Sequence, residues 1–205
     1  MTEKGFTVWL TGPPRSGKTT LAGLLAQALR ELGRQVQVLD GDEVRKVLCA
    51  DLGFSRQDRR ANNLRTAYVA SLLNDHGVCC LVAQIAPYAA DRQEVRRRLA
   101  DYVEVFMDCP LEQLINRDYK GIYAKALAGQ LKGVTGVDDP YEPPLDPEVH
   151  CRTDRQSPQD SLAQVLEYLL RAGLLATAAP AGQEAAYTPE QEALIRRRLA
   201  DLGYL

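Results

Sequence analysis

Residues 12–19, Gly-Pro-Pro-Arg-Ser-Gly-Lys-Thr, constrain the fold more than any other stretch of the chain. They fit the pattern Gly, four residues, then Gly-Lys-Ser/Thr, which joins a strand to a helix and wraps backbone N–H groups around phosphate. The flanks agree: residues 6–10 form an apolar, β-prone run, and Leu or Ala recurs at helical spacing over residues 21–29. A Gly-rich turn before an ordinary helix is the alternative, and it is disfavoured because motif and flanks occur together.

Each residue type in this loop has a chemical reason. Glycine lets backbone N–H groups curl around an anion, and the start of the following helix adds partial positive charge. Lys18 can reach the β- and γ-phosphates of ATP, and the Thr19 hydroxyl can ligate Mg²⁺. ATP, the phosphoryl donor, is predicted to bind together with Mg²⁺. The loop residues predicted to bind this nucleotide are Gly12, Pro13, Pro14, Arg15, Ser16, Gly17, Lys18, Thr19 and Thr20.

The alternation of strand and helix patterns sets the fold class. Short apolar or alternating runs lie at residues 6–10, 34–40, 78–83, 103–108 and 149–154. Segments with helical periodicity separate them, two of which begin with a serine suited to cap a helix, Ser55 and Ser157. The sequence therefore predicts an α/β protein with the three-layer fold of P-loop kinases, a five-stranded parallel sheet with helices on both faces.

Composition narrows the function classes. The 205 residues are enough for one α/β domain, and 25 Lys+Arg against 27 Asp+Glu leave no basic field that would indicate a nucleic-acid binder. No apolar run approaches membrane-spanning length and the N-terminus lacks a signal-peptide pattern, so we expect a cytoplasmic protein without membrane contact. The five cysteines lack a Cys-x-x-Cys pair, and we expect buried free thiols.

One segment differs from the rest of the predicted kinase domain, residues 1–175. Residues 118–147 show little regular patterning and are predicted to be a lid or a disordered segment. Three lysines in this segment suggest that it contacts phosphates on closure.

The C-terminal region is predicted to be an appended element. Residues 176–186 are rich in Ala, Pro and Gly, as in a linker, and residues 187–205 have the start signals of a helix. Ile195, Leu199 and Leu202 line one face of that helix. This apolar stripe is narrow, and an isolated helix of this length is only marginally stable in water. We therefore expect the helix to dock on its own domain, a second subunit or another protein.

Two further segments have an ordinary and a functional interpretation. The Asp-Gly-Asp at residues 40–42 ends a predicted strand, where carboxylates can hold Mg²⁺ or receive a substrate proton, but it also fits a turn with a helix cap at Asp42. Arg59 and Asn62 share one face of the next helix, which also fits a solvated charged surface.

Several segments together resemble the adenylyl-sulfate kinases, which phosphorylate the 3′-hydroxyl of adenosine 5′-phosphosulfate. They occur in the family's order and cover roughly residues 6–175. The phosphate loop alone is unspecific among P-loop kinases, whereas the later segments are specific. The matching segments are residues 12–19, 39–45, 52–62, 85–92, 117–123 and 132–142.

The resemblance implies a role for each ambiguous residue. It places Asp42 beside Mg²⁺ and the accepting hydroxyl, and Arg117 near the ATP base. It assigns Arg45, Arg59 and Asn62 to the phosphosulfate and ribose, and Phe54 to the substrate adenine. The residues it implies for substrate binding are Asp42, Arg45, Phe54, Arg59, Asn62, Ile85, Lys120, Gly121 and Val134.

Three positions depart from the family pattern. Glu43 replaces the usual Asn after Asp-Gly-Asp, and Ala86 replaces a Ser that is sometimes discussed as a phosphorylated residue. An alanine cannot carry a phosphoryl group, which favours direct transfer. Val134 stands where many members have a Phe that covers the substrate base, so one face of that contact is expected to be weaker.

Two other functions share part of the pattern. Another small-molecule P-loop kinase would share the first fifty residues, but Arg59, Asn62 and the lid argue against it. A non-catalytic nucleotide-binding regulatory subunit would explain Val134 and Glu43 as decay, but Lys18 and Asp42 are retained. Family members are often dimers, so a homodimer is compatible with the resemblance, although no residue in the sequence shows it.

Overall fold

The computed structural model describes residues 4–175, 193–194, 196–197, 199–200 and 203. Its centre is a five-stranded sheet in the order β2-β3-β1-β4-β5, in which every neighbouring pair is parallel. The strands are β1 (Thr7–Thr11), β2 (Val36–Asp40), β3 (Cys79–Ala83), β4 (Tyr102–Asp108) and β5 (Val149–Arg152). This confirms the predicted sheet.

Helices cover both faces of the sheet. They are α1 (Lys18–Glu31), α2 (Gly41–Val47), α3 (Arg56–Asp75), α4 (Ala89–Arg98), α5 (Leu111–Asn116), α6 (Ile122–Leu127) and α7 (Pro158–Arg171). Helices α1 and α7 contact each other, and α3 contacts α4. The three-layer arrangement predicted from the alternating segments is therefore present.

The central strand β1 shows how its sequence divides between the two layers. Val8 and Leu10 belong to the large core cluster that includes the buried residues of α1 and α7. Trp9, between them, packs in a second cluster with Ala67 of α3 and Val95 of α4. Successive strand residues point to opposite faces, so an unbroken apolar strand is the pattern that a sheet covered on both sides requires.

The helix starts follow the capping signals, with one exception. Ser55 and Ser157 each form a capping box with the acidic residue three positions on, as their positions predicted. Helix α2 is capped by Asp40, whose side chain accepts from the backbone N–H of Asp42, so the interpretation of Asp42 as the cap is wrong. The Asp42 carboxylate is therefore not used as the helix cap.

The region predicted to be a lid contains more regular structure than expected. Helix α6 lies within it, and Tyr123 of this helix is fully buried. Tyr123 forms a small core cluster with Cys109, Leu114 and Val134, separate from the clusters that flank the sheet. This part of the lid therefore packs against α5 and Cys109, apart from the two main core clusters.

The structure also shows the state of the cysteines, the character of the helices and part of the C-terminal region. All five cysteines are buried, as expected, and none is in a disulfide bond. Among the residues that the structure describes, no helix has the length and apolar character needed to cross a bilayer. The predicted linker 176–186 lies outside the described residues, as do Ile195 and Leu202, whereas residues 193–194, 196–197 and 199–200 are helical.

Candidate active site

A cleft of about 1420 Å³ opens where the strands end, at the edge of the sheet where parallel α/β proteins bind ligands. Most of the residues that the sequence singled out line it. They are Pro14, Arg15, Ser16, Gly17, Lys18, Thr19, Thr20, Asp42, Arg45, Phe54, Arg59, Asn62, Ile85, Arg117, Lys120 and Val134. Gly12, Pro13 and Gly121 lie in the same loops but are not lining residues.

The phosphate loop has the backbone conformation that its glycines permit. Gly12 has a φ of 155°, and a Cβ there would lie 2.6 Å from the carbonyl oxygen of Met107, so a larger residue does not fit. Gly17 has a left-handed conformation with a φ of 95° and immediately precedes α1. The start of this 14-residue helix is thereby directed into the cleft, where it favours an anion.

Lys18 is held against the loop itself. Its Nζ donates to the carbonyl oxygens of Gly12 at 2.8 Å and Pro13 at 2.7 Å. The whole side chain is half-buried, but its ammonium lies among the loop carbonyls. Burial lowers the pKa of Lys18 to about 7, against the opposing effects of Asp40 and Asp42. Phosphate oxygens are better partners for this ammonium than carbonyls, since they carry charge.

Asp40 joins the phosphate loop to the Asp-Gly-Asp segment. The Thr19 hydroxyl donates to Asp40 Oδ2 at 2.7 Å, while Asp40 Oδ1 accepts from the backbone N–H of Asp42 at 2.9 Å. Sequence reasoning noticed this carboxylate but assigned the metal role to Thr19 and Asp42, without Asp40. The available signal was its position at the end of β2, the strand that follows the phosphate loop and its helix in the sequence.

The donor set at this point fits Mg²⁺. The Thr19 hydroxyl and the carboxylates of Asp40 and Asp42 are hard oxygen donors, and the Asp42 side chain is 82% exposed. The described residues contain no group of three or more His, Cys, Asp or Glu side chains that could enclose an ion. In kinases Mg²⁺ is held by few protein ligands, which leaves room for substrate phosphates and water.

A second part of the cleft combines two arginines with an exposed aromatic ring. The Phe54 side chain is 66% exposed, and its ring centroid lies 4.6 Å from the Arg45 guanidinium and 5.7 Å from that of Arg59. Arg45 also donates to the Gly53 carbonyl at 2.9 Å. A large exposed aromatic ring beside two cations can stack on a base close to an anionic group.

Arg59 and Asn62 are buried on the face of α3 that meets the cleft, so the solvated-surface interpretation of these two residues is wrong. Asn62 Nδ2 donates to Gln84 Oε1 at 3.0 Å, and Gln84 in turn donates to Thr66. The Asn62 Oδ1 atom is buried and has no hydrogen-bond partner among the described residues. It is thus an acceptor available to a ligand hydroxyl.

The loop after β3 is fixed through its carbonyls. Ile85 accepts from the Thr11 hydroxyl at 2.6 Å, and Ala86 accepts from Arg92 at 2.8 Å. Ala86 has a φ of 43°, which is rare for a residue with a Cβ. These contacts hold Ile85 at the cleft, where the resemblance placed it.

The lid is attached directly to the phosphate loop. Tyr123 donates its hydroxyl to the Pro14 carbonyl at 2.9 Å, a contact that no sequence pattern indicated. Gly121, with a left-handed φ of 68°, starts α6, and Lys120 Nζ lies 4.0 Å from Asp42 Oδ2. Val134 is only 6% exposed because it packs into the lid cluster, although it also lines the cleft.

Arg117 lies at the end of α5, on the side of the cleft formed by the segment after β5. Its guanidinium donates to the carbonyl of Thr153 at 2.6 Å and to its hydroxyl at 3.2 Å. It is therefore anchored at the cleft, and its predicted contact with the ATP base stays a prediction.

Comparisons with known proteins agree with this geometry. The family described as adenylylsulphate kinase matches residues 4–152. The adenylyl-sulfate kinase of Gloeothece citriformis is 49% identical over 175 residues, which cover 85% of this chain and 99% of that protein. That of Deinococcus deserti is 51% identical over 165 residues, covering 80% and 91%.

A solved structure also has a similar fold. The APS kinase of Mycobacterium tuberculosis, in complex with AMPPNP and APS, aligns with a TM-score of 0.79 and 42% identity, covering 82% of this chain and 98% of that one. The residues that the family model matches include the phosphate loop, Arg45 and Arg59 of the cleft, and all five strands. This chain therefore belongs to the adenylyl-sulfate kinase family.

Proposed function

We propose that this protein is an adenylyl-sulfate kinase, which transfers the γ-phosphoryl group of ATP to the 3′-hydroxyl of adenosine 5′-phosphosulfate to give 3′-phosphoadenylyl sulfate. One observation carries the proposal. The phosphate loop and a pocket containing Arg45, Phe54 and Arg59 line the same cleft. One cleft can therefore receive both a nucleoside triphosphate and a second, anionic nucleotide.

The donor side of the reaction follows from the loop. The ATP phosphates bind the loop N–H groups and the start of α1, and Lys18 turns from the loop carbonyls to the β- and γ-phosphates. Thr19, Asp40 and Asp42 would hold Mg²⁺, which would supply charge stabilisation at the transferring group. Arg117, fixed by Thr153, contacts the ATP base.

The acceptor side depends on Asp42. Its exposed carboxylate orients the 3′-hydroxyl and accepts the hydroxyl proton as the oxygen bonds to the γ-phosphorus. The bond from that phosphorus to the β–γ bridging oxygen breaks, and ADP leaves. Positioning and electrostatics account for most of such catalysis. Ala86 cannot carry a phosphoryl group, which favours direct transfer.

The pocket residues bind the rest of the acceptor. Arg45, Arg59 and Asn62 bind the phosphosulfate and ribose, and Phe54 stacks on adenine. The remaining contacts come from Ile85, Lys120, Gly121 and Val134. Val134 is only 6% exposed. Its proposed contact with the adenine base therefore requires the lid to close and present the Val134 side chain to the base.

The decisive experiment is ADP release from ATP with and without adenylyl sulfate. We expect release to depend on adenylyl sulfate and on added Mg²⁺. Release only with another acceptor would identify a different small-molecule kinase. Nucleotide binding without turnover on any acceptor would identify a regulatory subunit. Cytoplasmic location and a homodimeric state stay proposals, to be tested by fractionation and by light scattering.

A further inference from the structure

Asp139, in the lid, makes an ion pair with the arginine assigned to the acceptor. Its Oδ2 lies 3.0 Å from Arg59 Nη2, and the two side chains are 18% and 7% exposed. Its Oδ1 accepts from the Tyr88 hydroxyl at 3.1 Å. The carboxylate thus connects the lid, α3 and the loop after β3 at a single point.

The backbone fixes the position of this carboxylate. The Asp139 carbonyl accepts from Gly136 N–H at 2.8 Å, and Thr135 forms a bridge with Asp139. The neighbouring Asp138 accepts from the N–H groups of Gly133 and Val134, both at 2.7 Å, and does not contact Arg59. The two adjacent aspartates of this turn therefore make different contacts: Asp139 pairs with Arg59, and Asp138 accepts from the lid backbone.

The remaining contacts of Arg59 leave one of its nitrogens available. Nε donates to the Phe54 carbonyl at 3.0 Å and Nη2 donates to the Gly133 carbonyl at 2.7 Å. Nη1 makes no hydrogen bond to the part of the chain that the structure describes. A guanidinium held on two sides with its third side open is preorganised for an oxyanion.

We propose that Asp139 is a positioning residue, which orients Arg59 toward the acceptor's anionic group and makes acceptor binding depend on the lid turn. The proposal rests on the proposed function, because it takes Arg59 as an acceptor-binding residue. The Asp139 carboxylate also lowers the local positive potential around Arg59, which opposes anion binding. Orientation outweighs that loss here because Arg59 is buried and has no other fixed carboxylate partner among the described residues.

The test is a double-mutant cycle on steady-state kinetics. Asp139→Asn keeps the side-chain shape and removes the charge, so we expect KM for adenylyl sulfate to rise about tenfold, with kcat and KM for ATP within about twofold. In an Arg59→Ala background the same substitution should change KM by less than about twofold, because its effect passes through Arg59. Asp146→Asn is the control, because this exposed lid aspartate does not line the cleft, and it should change KM by less than about twofold in both backgrounds.

Three outcomes overturn the proposal. They are an unchanged or lower KM in Asp139→Asn, an equal effect of Asp139→Asn in both backgrounds, and a loss confined to kcat. If Asp139→Asn does not fold, Tyr88→Phe removes the hydrogen bond that holds the same carboxylate. It should then raise the same KM about threefold, and an unchanged KM overturns the proposal. Failure of the wild-type protein to respond to adenylyl sulfate would instead refute the proposed function.

Discussion

At the scale of single residues, Lys18 is the group whose protonation couples to ligand binding. Burial lowers the pKa of Lys18 to about 7 in the ligand-free protein. Bound phosphates favour the charged form, so the pKa of Lys18 rises on binding and a proton is taken up above about pH 7. Nucleotide affinity should therefore be greatest below that pH and fall as the pH increases toward the pKa in the complex.

Calorimetry can measure this proton directly. We expect titration of ADP at about pH 8, with excess Mg²⁺, to give heats that differ between buffers of different ionisation enthalpy, as proton uptake requires. Lys18→Met should remove the Lys18 contribution while leaving the fold intact. Equal proton uptake by the wild type and Lys18→Met would assign the titration to another group.

Asp42 gives the second prediction at this scale. Its side chain is 82% exposed, so Asp42→Asn should leave folding unchanged while removing the proton acceptor and one charge near Mg²⁺. We expect turnover to fall about 100-fold or more and nucleotide affinity to change much less. Glu43→Gln is the control, because that exposed carboxylate pairs with Lys46 at 2.6 Å and should tolerate neutralisation within about twofold. Near-normal turnover in Asp42→Asn would remove Asp42 from the mechanism.

Prediction from sequence succeeded for residues whose role is set by neighbours in the chain. The loop from Gly12 to Thr19 and the cap at Ser55 are local patterns. Tyr123 and Asp139 were missed because their partners, Pro14 and Arg59, lie far away in sequence. Such contacts depend on the packing of the lid, which no periodic pattern encodes.

At the scale of elements, strands and long helices were predictable because burial imposes a period on them. Strand β1 is apolar throughout and lies between two layers. Helix α6 was missed because it has six residues and only one of them, Tyr123, is buried. One buried residue in a six-residue helix leaves too little of a 3.6-residue period to detect.

A buried ionic network joins α4 and β4 to the loop after β3 and to the lid. Arg92 Nε lies 3.0 Å from Glu104 Oε1, with side chains 4% and 9% exposed, and Arg92 also donates to the carbonyls of Ala86 and Glu142. Burial raises the pKa of Glu104, although Arg92 and Arg96 oppose the shift. The network therefore fixes the loop that presents Ile85.

Removing Arg92 should destabilise the protein strongly. Arg92→Met leaves Glu104 buried without its nearest cation, and breaking such a pair costs about 3 kcal/mol. The deficit should shrink as the pH falls through the raised pKa of Glu104, because a protonated carboxyl loses little when its cation is removed. Urea unfolding of Arg92→Met and of Arg98→Met measures the difference. Arg98 pairs with Glu94 at the surface, 51% exposed, and its loss should cost less than about 0.5 kcal/mol. Equal costs would show that the network adds nothing.

At the scale of the whole molecule, the kinase domain and the C-terminal helix are predicted to be separable in function. The residues that line the cleft extend from Pro14 to Ser161. Truncation after Leu175 removes none of them. We expect the truncated protein to retain turnover within a few-fold in the ADP-release assay. Loss of all activity in a folded, monodisperse truncated protein would show that the tail completes the site.

We propose that the tail docks on its own domain, and Leu199 supports this because it is fully buried and groups with the core cluster around α1 and α7. Full burial of a leucine contributes about 2 kcal/mol, so Leu199→Asp should lower the free energy of unfolding by at least that amount. Leu194→Asp is the matched control, since Leu194 is 48% exposed and its substitution should cost less than about 0.5 kcal/mol. If the tail docks within one chain, the difference between the two variants should not depend on protein concentration. A difference that disappears on dilution would place the tail on a second subunit, because only an intermolecular contact weakens with concentration. Equal stability of both variants at every concentration would mean that Leu199 does not hold the tail in solution.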